Sequence, residues 1–172
     1  MLLEVQVQSH VKRILIVVLF LFGAAEISTA QSLSATIKKM SLEADVIVTG
    51  KVVQNESFWN DGKTKIYTRS SLQVNEYLKG SDAKSSVDVL CPGGEVGGVG
   101  ELYTHMPTLK KNEEVLLFLK KEQTGSSYKV FNGEDGKIPV LKDVASGQMV
   151  ASTRMFINAL KEQLKATMNE NK

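Results

Sequence analysis

The segment Cys91-Pro-Gly-Gly-Glu-Val-Gly-Gly-Val-Gly100 places five glycines in the eight residues from Gly93 to Gly100. Glycine brings no side chain, so such a stretch offers backbone amides, tight turns or close approach to another chain. Glu95 and Glu101 flank it as acid groups, and Tyr103 and His105 follow directly. The two glutamates lack the Asp-x-Asp spacing of a calcium loop. A phosphate loop is also missing, because Gly62-Lys63-Thr64 would need a glycine where Ser57 stands. No helical pattern follows the glycines, as a dinucleotide fingerprint would require. Two readings remain: a bulged or mobile connection between two strands, or a binding loop for a protein or small ligand.

Covalent and metal chemistry have little to draw on. His10 and His105 are the two histidines and Cys91 is the one cysteine. After residue 30 only His105 is left, which excludes a two-histidine metal site there. A Ser–His–Asp triad through His105 finds no serine in a nucleophile-elbow context. Cys91 with His105 is the one pair with covalent-catalysis chemistry, and geometry must decide it. The competing expectation is a buried thiol in a strand. A lone cysteine forms no intramolecular disulfide and, lying far from any leader, no lipid anchor. No catalytic residue, metal or cofactor is assigned on this basis.

Phe58-Trp59 precedes the turn Asn60-Asp61-Gly62-Lys63. Trp59 either plugs a barrel end or anchors a protein or sugar partner. Lys63, Lys65 and Arg69 lie near Trp59 and Tyr67, which is the raw material of a base-stacking surface. The chain carries 21 Lys+Arg against 19 Asp+Glu, a net charge of +2 without blocks. Nucleic-acid binders carry a basic stripe or patch, so no nucleic acid is expected as a partner.

These residues need a compartment and a scaffold. Lys12-Arg13, the apolar run Ile14–Phe22 and the small residues Ser28-Thr29-Ala30 have the order of a secretory signal peptide cut after Ala30. Ile14 to Ala25 is shorter than the roughly 20 residues of a membrane-spanning helix. The expectation is residues 1–30 as signal peptide and 31–172 as one periplasmic or secreted domain, touching the membrane only transiently. Met1–His10 contains Glu4, foreign to a signal n-region, and a start at Val11 is the alternative.

Leu33, Ile37, Met40 and Ala44 fall on one face of a short helix, capped by Ser32 or Ser34. Asp45–Val53 then reads as a strand with Val46, Val48 and Val52 on one face, and with a bulge or bend at Gly50. In the turn after Trp59, Gly62 is expected to take the positive φ. Lys65–Leu78 supports one or two strands with a kink, and Val87–Cys91 a short one. Glu114–Lys120 reads as a strand buried on both faces, with shorter strands at Tyr128–Phe131 and Lys137–Leu141. Met149, Thr153, Phe156, Leu160, Leu164 and Met168 predict a closing helix of about twenty residues, with Ser146 as its cap. Six or so strands between two terminal helices make the fold mainly β, a small OB-like closed barrel with a short N-terminal and a longer C-terminal helix.

Ala44-Asp-Val-Ile-Val-Thr-Gly-Lys-Val-Val53, Tyr77-Leu-Lys-Gly80, Pro92–Gly98 and Glu113–Leu119 together resemble an uncharacterised family of exported bacterial proteins. Its arrangement is similar to netrin and tissue-metalloproteinase-inhibitor (TIMP-like) domains, which are OB-type barrels with flanking helices. The resemblance covers about Ala44 to Val140 and implies the barrel and a protein-binding role. It does not carry the inhibitors' zinc chelation, which uses an amino-terminal cysteine where this chain would begin at Gln31. The expected function is an exported, non-enzymatic domain that binds a protein or envelope component. Its expected surface is Trp59, Gly93, Gly94, Glu95, Gly97, Gly98, Glu101, Tyr103 and His105. The alternative is a hydrolase or protease-inhibitor-like activity centred on the loop carrying His105.

Overall fold

The computed structural model describes residues 35–80, 84–122, 126–152 and 155–170. The leader expected over 1–30, Leu33 and both candidate caps Ser32 and Ser34 lie outside them. The chain divides into Met1–Lys38 and Lys39–Lys172. The first unit is described only from residue 35, where helix α1 (35–43) begins. All that follows concerns the second.

Its strands are β1 (Val46–Trp59), β2 (Ile66–Lys79), β3 (Ser86–Pro92), β4 (Gly94–Val96), β5 (Val99–Glu101), β6 (Glu114–Lys121), β7 (Tyr128–Val130), β8 (Lys137–Lys142) and β9 (Met149–Ala151), followed by helix α2 (Ile157–Asn169). Five strands close on themselves in the order β1-β2-β3-β7-β6, with β6 pairing back to β1. Only β3 and β7 run parallel. This closed five-stranded barrel is compatible with an OB-like fold. β8 pairs with β6 beyond β7, across the 3-10 turn Gly133–Gly136, and carries β9 outward as a hairpin.

Closure depends on β1 belonging to two neighbours. Residues 46–51 bond β6 on one edge while the same stretch bonds β2 on the other. A strand so shared must bend, and its register with β2 slips between Thr49 and Gly50 and again between Val52 and Gln54. A Cβ at Gly50 would overlap the Gln73 carbonyl and meet the Leu72 side chain. Glycine is therefore required by close approach, as the sequence suggests for this position.

Inward positions alternate as a pleated strand demands: Val46, Val48 and Val52 of β1 meet Leu72, Val89 and Leu117 in the barrel core. The opposite face is covered too. Ile47, Leu116 and Phe118 are fully buried, so β6 is buried on both sides. Leu160 and Leu164 bury the inner face of α2, and Lys161 Nζ fastens that helix to β2 through Glu76 at 2.7 Å. At the end of α1, Lys79 Nζ donates to the carbonyls of Ser41 and Leu42, each at 2.8 Å, satisfying two otherwise orphaned acceptors. Asp45 fixes the start of β1 by accepting from Lys121 N at 3.0 Å and Lys120 Nζ at 2.9 Å.

Four expectations are corrected. β1 runs on to Trp59 instead of ending at Val53, because β2 supplies a partner for its whole length. The positive φ of the β1–β2 turn belongs to Lys63, at 50°, and not to Gly62. Asn60 makes this possible by accepting from the amides of Thr64 and Lys65 through its Oδ1. The closing helix has 13 residues, not about twenty. Asp143 binds the amide of Ser146 and Gly147 takes a φ of 68°, so the chain reverses and Met149–Ala151 joins β8 as a strand. Ser146 thus serves a turn, and Phe156 occupies the helix N-cap without a side-chain bond.

Candidate binding site at the mouth of the barrel

The glycine segment is a β-hairpin standing on one end of the barrel. β4 and β5 form a separate two-stranded sheet, turned by Gly97 and Gly98 with φ of 60° and 81°. Positive φ at both central residues is the condition of the hairpin turn whose twist suits its strands. The base of the hairpin is pressed against β1 and β2 so closely that a Cβ at Gly94 would overlap the hydroxyls of Ser57 and Thr68. Those hydroxyls bond one another at 2.9 Å, and Thr68 donates to the Gly93 carbonyl at 2.7 Å.

Glu101 closes the base from the other side. Its Oε2 accepts from the Ile66 amide and from the Tyr103 hydroxyl, each at 3.0 Å. The Ile66 carbonyl in turn accepts from Gly93 N at 2.8 Å. Glu101 therefore staples β5 to β2, and its hydrogen bond from Tyr103 raises the pKa of that phenol above its ordinary value.

Residues 102–113 cross back over the barrel end as a strap. Leu109 drops into the core. Lys137 Nζ donates to the Thr108 carbonyl at 2.6 Å and pairs with Glu113 at 2.8 Å. Asn55 Nδ2 donates to the Leu109 carbonyl at 2.7 Å, and Asn112 N to that of Val52 at 2.7 Å. His105 takes a φ of 62° here, and its backbone carbonyl accepts from Glu134 N at 3.1 Å, while its side chain stays exposed.

Between the hairpin base and the strap lies a recess of about 60 Å³. Its floor consists of Thr68 and Ser70 of β2 and Cys91 of β3, the last a member of the barrel core. Thr68 is satisfied. Ser70 is 1% exposed and its Oγ has no hydrogen-bond partner. Burial pushes the Cys91 thiol up to about 11, an effect that the charge of Lys137 partly offsets. Around the opening stand Tyr103, Pro107 and the exposed side chains of Leu102 and Met106. Leu102 is 88% exposed, extreme for a residue of its kind.

Of the residues expected from sequence, Gly93, Gly94, Glu101 and Tyr103 line this recess together. Glu95, Gly97 and Gly98 lie further out on the hairpin, and all three are exposed. Trp59 is half-buried at the far end of β1, paired with Ile66, and does not line the recess. His105 does not line the recess that Cys91 faces, and no hydrogen bond joins the two. Three of the basic and aromatic residues near Trp59 serve one another: Phe58 stacks on Tyr67 at 6.5 Å, and Arg69 lies 5.0 Å above the Phe58 ring. No group of three His, Cys, Asp or Glu side chains suited to a metal occurs among the described residues.

Sequence reasoning passed over Ser70, Leu102 and Met106. Ser70 carried a readable signal, since it falls on the Ile66–Thr68–Leu72 face of a strand where alternation calls for an apolar residue. Leu102 and Met106 had none, because an apolar residue in a loop is ordinarily a plug. No protein-family model matches the sequence, and no characterised protein matches it.

Proposed function

We propose that this protein is an exported, non-enzymatic binding domain that recognises another protein of the cell envelope through the hairpin and strap. The observation that carries the reading is the apolar rim. Leu102 and Met106 are exposed at 88% and 43% around one recess, with Val99 exposed at 50% further out on the hairpin, on a frame tied down by Glu101, Lys137 and Asn55. Exposed apolar side chains grouped on ordered backbone are the mark of a protein-binding surface.

The signal-like order of residues 12–30 supports export, and no described helix is long and apolar enough to cross a membrane. The resemblance to the TIMP-like barrels supports a protein partner. An enzyme built on Cys91 and His105 is disfavoured, because a thiol near 11 is almost wholly protonated at neutral pH and its would-be base points elsewhere.

The test is capture from envelope extract by immobilised protein, compared with Leu102→Glu and with Leu141→Glu. Leu141 belongs to a separate exposed patch on β8. Leu102→Glu is expected to abolish capture of a protein that the wild type and Leu141→Glu both retain. Identical capture by all three overturns the surface.

A further inference from the structure

The buried polar groups of the described residues are nearly all satisfied. Two side-chain atoms are not, Thr49 Oγ1 and Ser70 Oγ. A buried hydroxyl without a partner costs stability, and alanine would avoid that cost. Thr49 sits where β1 is bonded on both edges, to β2 and to β6. Ser70 lines the recess under the glycine hairpin, where its hydroxyl is the one buried side-chain N or O atom without a partner among the lining residues.

The geometry points to this recess as a side-chain pocket for an extended peptide of the partner, accepting a short neutral residue with a hydroxyl or carboxamide: serine, threonine or asparagine. This rests on the hairpin and strap being the partner-binding face. Size is the first argument. One water needs about 10–15 Å³ of such space, so about 60 Å³ admits a few heavy atoms and no long side chain. Charge is the second. The Glu101 carboxylate on the wall repels an anion, and the small volume shuts out lysine and arginine. Chemistry is the third, because the Ser70 hydroxyl both donates and accepts, and so answers a hydroxyl or an amide equally well.

The backbone around the opening fits an extended chain. Among the described residues β5 pairs only with β4, leaving its outer edge free. A peptide added there gains main-chain bonds from the edge and directs alternate side chains toward the barrel. Glu101, which ends β5, and Leu102 and Tyr103, which follow it, are themselves recess-lining residues. One side chain would enter the pocket while its neighbours lie on Val99 and Leu102.

The experiment is an amide chemical-shift titration of the protein with N-acetyl methylamides of serine, asparagine, alanine, leucine and lysine. Serine and asparagine are expected to move the amides of Ser70, Cys91 and Tyr103, and to bind about fivefold more tightly than alanine. That ratio corresponds to one net hydrogen bond. Ser70→Ala should erase the difference, while Thr49→Val leaves it intact. Should Ser70→Ala fail to fold, the serine-to-alanine ratio on the wild type decides alone. Equal binding of serine and alanine, shifts elsewhere, or stronger binding of leucine or lysine overturns the pocket. If those results coincide with capture that still depends on Leu102, the binding face stands and only the pocket falls. Serine binding at Ser70 with capture indifferent to Leu102→Glu upholds the pocket's chemistry and overturns the face.

Discussion

Removing the Glu101 carboxylate should loosen the hairpin from the barrel, and the structure fixes by how much. The Ile66 amide donates to Glu101 Oε2 at 3.0 Å, and Ile66 is fully buried. Leaving a buried donor without an acceptor costs about 1–3 kcal/mol. The Tyr103 hydroxyl lies at the mouth and can turn to water, so its loss adds little. Glu101→Ala should therefore destabilise by about 2 kcal/mol. With a urea dependence of about 1–3 kcal/mol per molar, the midpoint would fall by about 1 M. Glu101→Gln keeps an acceptor for Ile66 but gives up its charge, and should cost about 1 kcal/mol or less. Native-state hydrogen exchange locates the effect: the Ile66 amide should lose protection in Glu101→Ala well beyond the amides of β6. The Tyr103 phenol should also titrate lower in that variant, since its hydrogen bond to Glu101 is what raises it. A midpoint within about 0.2 M of wild type, or equal losses in the two variants, would refute the staple and return Glu101 to the pool of free acid groups.

Three further outcomes are expected. Gly50→Ala forces a Cβ onto the Gln73 carbonyl and should cost about 3 kcal/mol or prevent folding, as overpacking plus lost β1–β2 bonds; urea denaturation with an unchanged midpoint would contradict the closure argument. Cys91 should alkylate at pH 8 about 100-fold more slowly in the folded than in the urea-unfolded protein, because a thiol moved from 9.0 to about 11 loses that share of its thiolate; iodoacetamide labelling within tenfold of the unfolded rate would contradict a thiol kept neutral by burial. The Glu76 carboxyl is held below its ordinary value by the hydrogen bond from Lys161. A carboxyl depressed in the fold stabilises above its unfolded value and loses that contribution as pH falls through the folded one, so stability should drop below about pH 5. Glu76→Gln should flatten that fall in urea midpoints measured from pH 6 to 3, and an unchanged slope would rule out the α2 anchor as its source.

The parts of the fold that were legible are those in which local pattern and tertiary need agree. Val46, Val48 and Val52 announce an inner face, Gly50 a bend, and Val115–Leu119 a strand covered on both sides, and each holds. Where the two disagree, the reading fails for identifiable reasons. Met149 and Phe156 fit a helical stripe with Leu160 and Leu164, yet Asp143 and Gly147 reverse the chain before it, and pairing with β8 overrides the period. The Asn60–Lys63 turn was readable, but Asn60 captures the amides of Thr64 and Lys65 and so moves the left-handed residue from Gly62 to Lys63. The glycine segment looked like a loop because residues without side chains show no alternation, although Gly97-Gly98 between two valines is a hairpin signal.

Thr49 and Ser70 show how far such a reading can go toward function. Both are polar residues in buried strand positions, and both leave a hydroxyl unpartnered. From sequence Thr49 shares the Lys51 face of β1, where a polar residue is expected, and Ser70 interrupts an apolar face. The structure separates them further, by placing Ser70 beside a recess and Thr49 between β1's two neighbours. If both were mere imperfections, Ser70→Ala and Thr49→Val would each leave binding unchanged and raise stability slightly. If Ser70 is kept for a ligand, the two substitutions should have the same sign in stability and part company in binding. A residue that costs the free protein and repays it only in complex is the kind of local inconsistency that functional sites are built from. That makes Ser70, more than any glycine of the hairpin, the position at which the binding hypothesis stands or falls.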